Sequence, residues 1–204
     1  MQTTARIAVL VSGGGTNLQA LINAEKNGKI PNGKIELVIS NNEKAFAIER
    51  AKNAGIKTQT ILKSIEGSQQ AFEDKLKKIL TENQIDLIVL AGFMSILSES
   101  FTKDYPERII NVHPSLIPSF CGKGFYGLKV HERALEKGVK VTGATVHFVN
   151  EIPDGGKIIL QKAVSVREKD TPETLQKRVM EQAEWKILPL AVQKISKQIT
   201  EKGK

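Results

Sequence analysis

The sequence predicts an open, twisted α/β sheet that is mostly parallel, with helices on both faces and an antiparallel part in its C-terminal half. Short apolar runs rich in β-branched residues alternate with segments of helical periodicity. A glycine-rich turn joins the first apolar run to the first helical segment, which is typical of a Rossmann-like sheet. With 204 residues, of which 40% are hydrophobic, the chain is expected to form a single domain over residues 1–204.

Strands and helices are predicted to alternate along the first half of the chain. The expected strands are 7–11, 37–39, 87–91 and 108–110. The expected helices are 18–25, 45–54 and 69–80. Gly28 and Gly55 follow the first two helices, at positions where glycine commonly ends a helix.

The pattern changes after residue 141. Strands at 145–149 and 157–161 are joined by a Pro-Asp-Gly-Gly turn, which predicts an antiparallel pair. Asp170, followed by Pro172 and Glu173, is typical of a capping box at the start of a last helix that runs to about residue 197. Pro189 is expected to kink or split this helix because it has no backbone N–H.

Composition argues against several classes of protein. The net charge is +8, but basic residues are interspersed with acids and aromatic residues make up only 5%, so no nucleic-acid partner is expected. Cys121 is the single cysteine and no Cys/His cluster has zinc spacing, so neither a disulfide nor a metal is expected. An apolar leader and a membrane-length apolar run are both missing, which predicts a cytoplasmic protein without a membrane partner.

The turn after the first predicted strand has a composition suited to phosphate. Its candidate binding residues are Gly13, Gly14, Gly15, Thr16 and Asn17. Glycines let the backbone approach a ligand, and the start of the following helix adds a partial positive charge. The loop is not a dinucleotide fingerprint, because the third glycine of that motif would fall at Leu18. A phosphate-monoester site is favoured over a merely tight structural turn.

Three polar residues occupy alternate positions where a predicted strand ends. These are Asn111, His113 and Ser115, and Pro114 and Pro118 stop the strand. Alternation along an extended chain directs such side chains to one face. Ligands of open α/β sheets bind at the carboxyl ends of strands. The three residues are therefore candidate site residues; the alternative is a strand terminus with a hydrogen-bonded histidine.

The three histidines have different predicted roles. His147 alternates with apolar neighbours and is predicted to be a half-buried, supporting strand residue, whereas His131 is predicted to open a helix as a cap or loop anchor. His113 is therefore the preferred acid or base. Asp154 is expected to be exposed in a turn, where it serves either the turn itself or as the carboxylate that orients a histidine and stabilises its cation.

Five segments carry a resemblance to a known family. They are Ser-Gly-Gly-Gly-Thr-Asn-Leu at 12–18, Ala-Gly-Phe-Met at 91–94, Asn-Val-His-Pro-Ser-Leu-Ile-Pro at 111–118, Thr-Val-His-Phe-Val at 145–149 and Asp-Gly-Gly at 154–156. In this order they resemble the phosphoribosylglycinamide formyltransferases, folate-dependent enzymes of purine biosynthesis. The Asn-x-His and Asp-Gly elements are shared with other formyltetrahydrofolate enzymes, whereas the glycine-rich loop is more selective.

The resemblance implies a reaction in which the amine of glycinamide ribonucleotide attacks the formyl carbon of the co-substrate 10-formyltetrahydrofolate. Asn111 would donate to the resulting oxyanion, and protonated His113 would donate to it or to the departing N10. Asp154 would pair with His113 and raise its pKa. Ser115 and His147 would support this group, and no metal is implied.

The resemblance also implies two substrate subsites. The ribonucleotide would contact the glycine-rich loop, Glu181 and Glu184, although an exposed helical acid is an equal interpretation of Glu184. The predicted folate residues are Gln69, Met94, Ser95, Ile96, Leu97, Asn111, Asn150, Glu151, Ile152, Pro153 and Asp154. Ser95 and Gln69 stand where the family often has arginines facing the anionic folate tail. Lys123, in the long loop 121–127, is the candidate replacement.

Related activities remain as alternatives at this point. A tRNA-directed formyltransferase would use the same three catalytic residues with an additional C-terminal domain, and a formyltetrahydrofolate hydrolase would carry an additional N-terminal domain. The fold and the loop alone also allow a nucleotide-binding module without catalysis. The expected partners are the small-molecule substrates, and the sequence leaves both a monomer and a homodimer open.

Overall fold

The computed structural model describes residues 4–202, which form a seven-stranded mixed sheet. Its strands are β1 (Ala5–Val11), β2 (Gly33–Ser40), β3 (Lys57–Thr60), β4 (Leu87–Leu90), β5 (Ile109–His113), β6 (Val141–Phe148) and β7 (Ile158–Ser165). The spatial order is β3-β2-β1-β4-β5-β6-β7, parallel as far as β5 and antiparallel from β5 to β7. This sheet confirms the predicted fold class. The predicted single domain includes residues 1–3 and 203–204, which lie outside the described residues.

Helices pack on the two faces of the sheet. They are α1 (Thr16–Lys26), α2 (Phe46–Asn53), α3 (Lys63–Glu66), α4 (Gln69–Glu82), α5 (Glu99–Lys103), α6 (Leu128–Glu136), α7 (Pro172–Val179) and α8 (Trp185–Lys202). The sequence pattern did not predict β3, α3 or α5. The edge strand β3 reads Lys-Thr-Gln-Thr and has no apolar face, and the two helices are too short to display a period. No helix between residues 4 and 202 is long and apolar enough to cross a membrane.

The central strands are buried on both faces because successive side chains point to opposite sides of the sheet. In β1, Ile7, Val9 and Val11 join an apolar cluster that includes residues of α1, α2 and α8. Ala8 and Leu10 join a second cluster, which includes residues of α4. Each fully buried Ile, Val or Leu contributes roughly 1.5–3 kcal/mol of hydrophobic free energy. The sheet is thus a rigid frame that fixes the loops at its carboxyl edge.

The start of the C-terminal helix differs from the prediction. The cap of α7 is Thr171 rather than Asp170: the Thr171 hydroxyl accepts from the N–H of Thr174, and the Thr174 hydroxyl accepts from the N–H of Thr171. Asp170 instead binds the guanidinium of Arg178, which lowers the pKa of Asp170 to about 2. The acid was therefore assigned to the wrong local role, because its partner lies two helical turns away.

The C-terminal helix is split, but not at Pro189 as predicted. A π-helical turn, Met180–Glu184, separates α7 from α8, and Pro189 lies inside α8. The missing N–H of Pro189 leaves the carbonyl of Trp185 without its usual α-helical partner. The π-helical interruption ends five residues before the proline.

His131 also differs from its predicted role. It is the fourth residue of α6, not a cap or loop anchor, and it is fully buried. Neither ring nitrogen has a hydrogen-bond partner within the described part of the chain. Burial lowers the pKa of His131 to about 4, and the charge of His113 acts in the same direction. The ring is therefore neutral at pH 7 and serves as a core side chain.

We expect the stability of the protein to fall as the pH is lowered from 6.5 towards about 4, because the unfolded chain then protonates His131 while the folded chain does not. His131→Leu should flatten this acid limb. At pH 7 its free energy of unfolding should match or exceed that of the wild type, since two unpaired buried nitrogens are removed. Urea denaturation of both proteins across this pH range measures the difference. A large loss of stability at pH 7 would contradict the interpretation.

Candidate active site

The glycine-rich loop connects β1 to α1, and α2 holds its backbone. The N–H of Ala47 donates to the carbonyl of Gly13 at 3.0 Å. Arg50 Nε donates to the carbonyl of Gly14 at 2.8 Å. Gly15 has a φ of +70°, and a Cβ there would lie 2.6 Å from the Cβ of Ala47. Gly15 is therefore required by packing against α2, apart from any ligand.

The first turn of α1 meets the π-helical turn through a buried polar pair. Asn17 Nδ2 donates to Glu184 Oε2 at 2.6 Å. Burial raises the pKa of Glu184 to about 7, although the bond from Asn17 acts in the opposite direction. Glu184 is 6% exposed, which excludes its interpretation as an exposed helical acid. Nδ2 of Asn17 is used in this pair, whereas its Oδ1 is buried without a hydrogen-bond partner in the described part of the chain.

The other two predicted ribonucleotide residues lie beside this pair. The hydroxyl of Thr16 faces the sulfur of Met180 at 3.8 Å. Glu181 is exposed on the same π-helical turn and lies 3.9 Å from the ammonium of Lys177. The structure thus brings the predicted ribonucleotide residues together where the start of α1 meets the C-terminal helical region.

Asn111 and His147 face each other across the antiparallel pair β5 and β6. The carbonyl of Phe148 accepts a hydrogen bond from Nδ1 of His147 at 2.7 Å, so that nitrogen carries a proton. When neutral, His147 can therefore accept from Asn111 Nδ2, which lies 3.3 Å from Nε2. His147 is 2% exposed rather than half-buried as predicted. The contact orients the Asn111 amide at the end of β5.

His113 is the last residue of β5 and is buried, with the Phe120 carbonyl near one ring nitrogen and the Asp154 carboxylate near the other. Its Nε2 lies 2.9 Å from the carbonyl oxygen of Phe120, so Nε2 carries a proton in this arrangement. Its Nδ1 lies 3.4 Å from Oδ2 of Asp154. The hydroxyl of Ser115, which is fully buried, donates to the carbonyl of Ser119 at 2.5 Å. Ser115 thus fixes the turn that presents Phe120 to the imidazole.

Asp154 joins both histidines to the loop above them. Its Oδ2 accepts from the N–H of Gly122 at 2.8 Å, and its Oδ1 lies 3.5 Å from Nε2 of His147. The side chain is only 14% exposed, so the carboxylate is not the exposed turn group that the sequence predicted. Asp154 has a φ of +57°, within the left-handed region that aspartate tolerates better than most residues.

Burial and nearby charges act in opposite directions on the pKa values of His113 and Asp154. Burial lowers the pKa of His113, and the Asp154 carboxylate and the Phe120 carbonyl raise it only in part. The net shift is downward because burial outweighs Asp154, which does raise the pKa in the expected direction. Burial raises the pKa of Asp154, but His147, His113 and the Gly122 N–H outweigh it and lower the pKa overall. Asp154 is therefore an anion at neutral pH.

A cavity of about 640 Å³ opens beside the catalytic candidates. Of the predicted folate residues it is lined by Met94, Ser95, Ile96, Asn111, Pro153 and Asp154. Gln69, Leu97, Asn150, Glu151 and Ile152 do not line it: Leu97 is in the core, and Asn150 and Glu151 line a neighbouring groove. Loop residues 122–127, including Phe125 and Tyr126, complete the wall and were not predicted there apart from Lys123. The two adjacent aromatic residues in a glycine-rich loop were the available signal in the sequence.

Ser95 and Gln69 have partners within the protein. Asn41 Nδ2 donates to the hydroxyl of Ser95 at 2.7 Å. Gln69 Nε2 donates to Oε1 of Glu73 at 2.5 Å and to the carbonyl of Ile96 at 3.1 Å. Gln69 thus holds the 92–97 loop in place. Lys123 is the lysine in the cavity wall and is exposed.

These features define a class of protein: a Rossmann-like α/β enzyme with an amide donor and a histidine–carboxylate pair at the carboxyl edge of its sheet. Residues 4–202 contain no group of three His, Cys, Asp or Glu side chains arranged to hold a metal ion. The particular family follows from sequence comparison. The chain belongs to the formyl transferase family, whose model matches residues 5–192.

Individual relatives agree with this assignment. The chain is 43% identical to phosphoribosylglycinamide formyltransferase of Haemophilus influenzae, over 92% of this chain and 85% of the relative. It is 45% identical to human trifunctional purine biosynthetic protein adenosine-3 over 98% of this chain, but it spans only 19% of that protein. The solved structure of glycinamide ribonucleotide transformylase 1 from Symbiobacterium toebii is similar with a TM-score of 0.90 at 40% identity, covering 97% of this chain and 90% of that one.

We expect Asp154→Asn to lower the pKa of His113 further, because the carboxylate that stabilises the imidazolium becomes neutral while the shape of the side chain is kept. An NMR titration of the His113 ring measures this shift directly. Asp74→Asn, at an exposed position of α4, is the matched control and should leave the titration unchanged. A His113 pKa that stays constant or rises in Asp154→Asn would remove Asp154 as its partner.

Proposed function

We propose that this chain transfers the formyl group of 10-formyltetrahydrofolate to the amine of glycinamide ribonucleotide. The products would be formylglycinamide ribonucleotide and tetrahydrofolate, a step of purine biosynthesis. The observation that carries the proposal is the position of Asn111, His113 and Asp154 in the wall of the 640 Å³ cavity, in a chain of the formyl transferase family. Cytoplasm is the proposed location, where the free thiol of Cys121 would stay reduced.

The cavity supports the proposal through its shape and chemistry. Its wall combines Met94, Ile96, Phe125 and Tyr126 with the polar end of β5, which suits a flat, partly aromatic ligand with one reactive end. The reactive end would lie against Asn111 and His113. The exposed Lys123 would lie near the charged tail of the folate.

Asn111 would stabilise the charge that develops during transfer. Attack of the amine on the formyl carbon forms the new C–N bond and turns the carbonyl oxygen into an oxyanion. One N–H of Asn111 Nδ2 is directed to His147, which leaves the second to donate to that oxyanion. Because His147 fixes the amide before substrate binds, this donor would need no reorganisation during the reaction.

His113 would supply the proton for the leaving group. Its Nε2–H rests on the carbonyl of Phe120 in this structure, and the same N–H would pass to the oxyanion or to N10 once substrate occupies the cavity. N10 would leave with that proton as the C–N10 bond breaks, and the neutral imidazole left behind would take up, through water, the proton that the attacking amine gives up. Asp154 would favour the protonated form of His113, against the burial that lowers its pKa.

The ribonucleotide would lie at the start of α1. The N–H groups of the glycine-rich loop and of the first turn of α1 are free to bind a phosphate, because a helix does not use its first N–H groups internally. Glu184 lies in the adjoining turn, paired with Asn17, and would contact the sugar or the amine. The two subsites meet at the carboxyl edge of β1, β4 and β5.

The test is an assay of tetrahydrofolate formation with both substrates. Asn111→Ala and His113→Ala should each lower kcat by about a hundredfold or more, because each removes a group that acts on the transition state. Asn53→Ala, at an exposed position of α2, is the control and should behave as wild type. Deformylation without the ribonucleotide would identify a hydrolase instead. Wild-type protein that binds both ligands without turnover would indicate a binding module.

Recognition of the folate tail has its own test. Lys123→Ala should raise KM for the folate severalfold and leave kcat unchanged, since an exposed charge pair contributes about 1 kcal/mol or less. The effect should shrink at high salt because the ions screen the attraction. Lys137→Ala, at the exposed end of α6, is the matched control. Equal effects of the two variants would leave the tail without a contact at Lys123.

A further inference from the structure

We propose that Arg50 is a positioning residue for the phosphate-binding loop. This inference rests on the ribonucleotide subsite proposed above. Arg50 lies on α2, outside the glycine-rich loop and outside the cavity that holds the catalytic candidates. It would act through the loop backbone rather than by reacting with substrate.

Three contacts fix the guanidinium. Arg50 Nε donates to the carbonyl of Gly14 at 2.8 Å, and Nη1 donates to Oε1 of Gln19 at 3.1 Å. The guanidinium carbon lies 5.0 Å from the centre of the Phe46 ring, within cation–π range. Arg50 therefore connects the loop, the first turns of α1 and its own helix. A lysine has no planar fork and could not make the first two contacts together.

The contact to Gly14 determines where the loop N–H groups point. In a trans peptide the carbonyl of one residue and the N–H of the next point in opposite directions. Arg50 draws the carbonyl of Gly14 towards α2, so the N–H of Gly15 points away from α2. The N–H of Ala47 does the same to the carbonyl of Gly13, and so turns the N–H of Gly14. Two consecutive N–H groups then face the same side, as in a backbone nest for an anion.

The charge of Arg50 strengthens this arrangement. Its two hydrogen-bond partners are neutral oxygens, so these contacts do not cancel the positive charge. Phe46 is 57% exposed, and the cation is held over its ring close to the loop. A bound phosphate would therefore meet oriented N–H groups and a nearby fixed cation.

The experiment compares Arg50→Met, Arg50→Lys and the control Lys52→Met, which removes a positive charge from an exposed position of the same helix. Binding of ribose 5-phosphate is measured by calorimetry, and KM for each substrate and kcat by the assay above. Arg50→Met should weaken ribose 5-phosphate binding and raise KM for the ribonucleotide by about tenfold, with folate KM and kcat unchanged. Arg50→Lys should lose most of the same affinity, because it keeps the charge but not the fork.

The outcomes separate this inference from the proposed function. Wild-type behaviour of Arg50→Lys would mean that only the charge matters and would overturn the positioning role, as would equal effects of Arg50→Met and Lys52→Met. A fall in kcat together with a rise in folate KM would mark general damage and would also overturn it. Phe46→Leu, a milder change, should give a smaller loss of ribose 5-phosphate affinity. If wild type binds ribose 5-phosphate but transfers no formyl group, the proposed function fails while the calorimetry still decides the role of Arg50.

Discussion

The carboxylate of Asp154 is the interaction on which the candidate site depends, because it connects three segments that are distant in the sequence. It lies 3.4 Å from Nδ1 of His113 at the end of β5 and 3.5 Å from Nε2 of His147 in β6. It also accepts from the N–H of Gly122 in the loop that forms one wall of the cavity. One carboxylate thus faces two buried imidazoles and accepts a hydrogen bond from a loop amide. Removal of that carboxylate would leave the N–H of Gly122 without this acceptor.

The fold explains how this arrangement is possible. Parallel strands bring β1, β4 and β5 to a common edge, and the switch to antiparallel pairing places His147 of β6 directly opposite Asn111 of β5. β6 ends opposite Ile110, near the amino end of β5, and the β6–β7 connection folds back so that Asp154 lies beside His113 and His147. If β7 ran parallel to β6, a long crossover would have to replace the short connection between them. The mixed topology therefore supplies both a catalytic strand and the strand that orients it.

Much of the fold and part of the site were predictable from local patterns. Apolar runs alternating with helical periods were sufficient for β1, α1, α2 and α4, and the same-face spacing of Asn111 and His113 needs only the period of an extended chain. The burial of Glu184, the partner of Asp170 and the core position of His131 depend on contacts between distant segments. A histidine or acid in an amphipathic segment has no local signal that distinguishes a buried side chain from an exposed one. The lowered pKa of His113 has the same origin, since desolvation depends on the tertiary structure.

The π-helical turn Met180–Glu184 limits how the length of the C-terminal helical region can vary. Such a turn holds about one residue more than an α-helical turn, and one residue corresponds to about 100° of rotation around a helix. Deleting a single residue there would let α7 and α8 merge into one continuous helix, which favours the helix locally. It would also rotate α7 relative to α8. Glu184 could then no longer contact Asn17 if Leu175 and Leu188 both remained buried. Insertions and deletions are tolerated in exposed loops, but here the count of residues is itself part of the site.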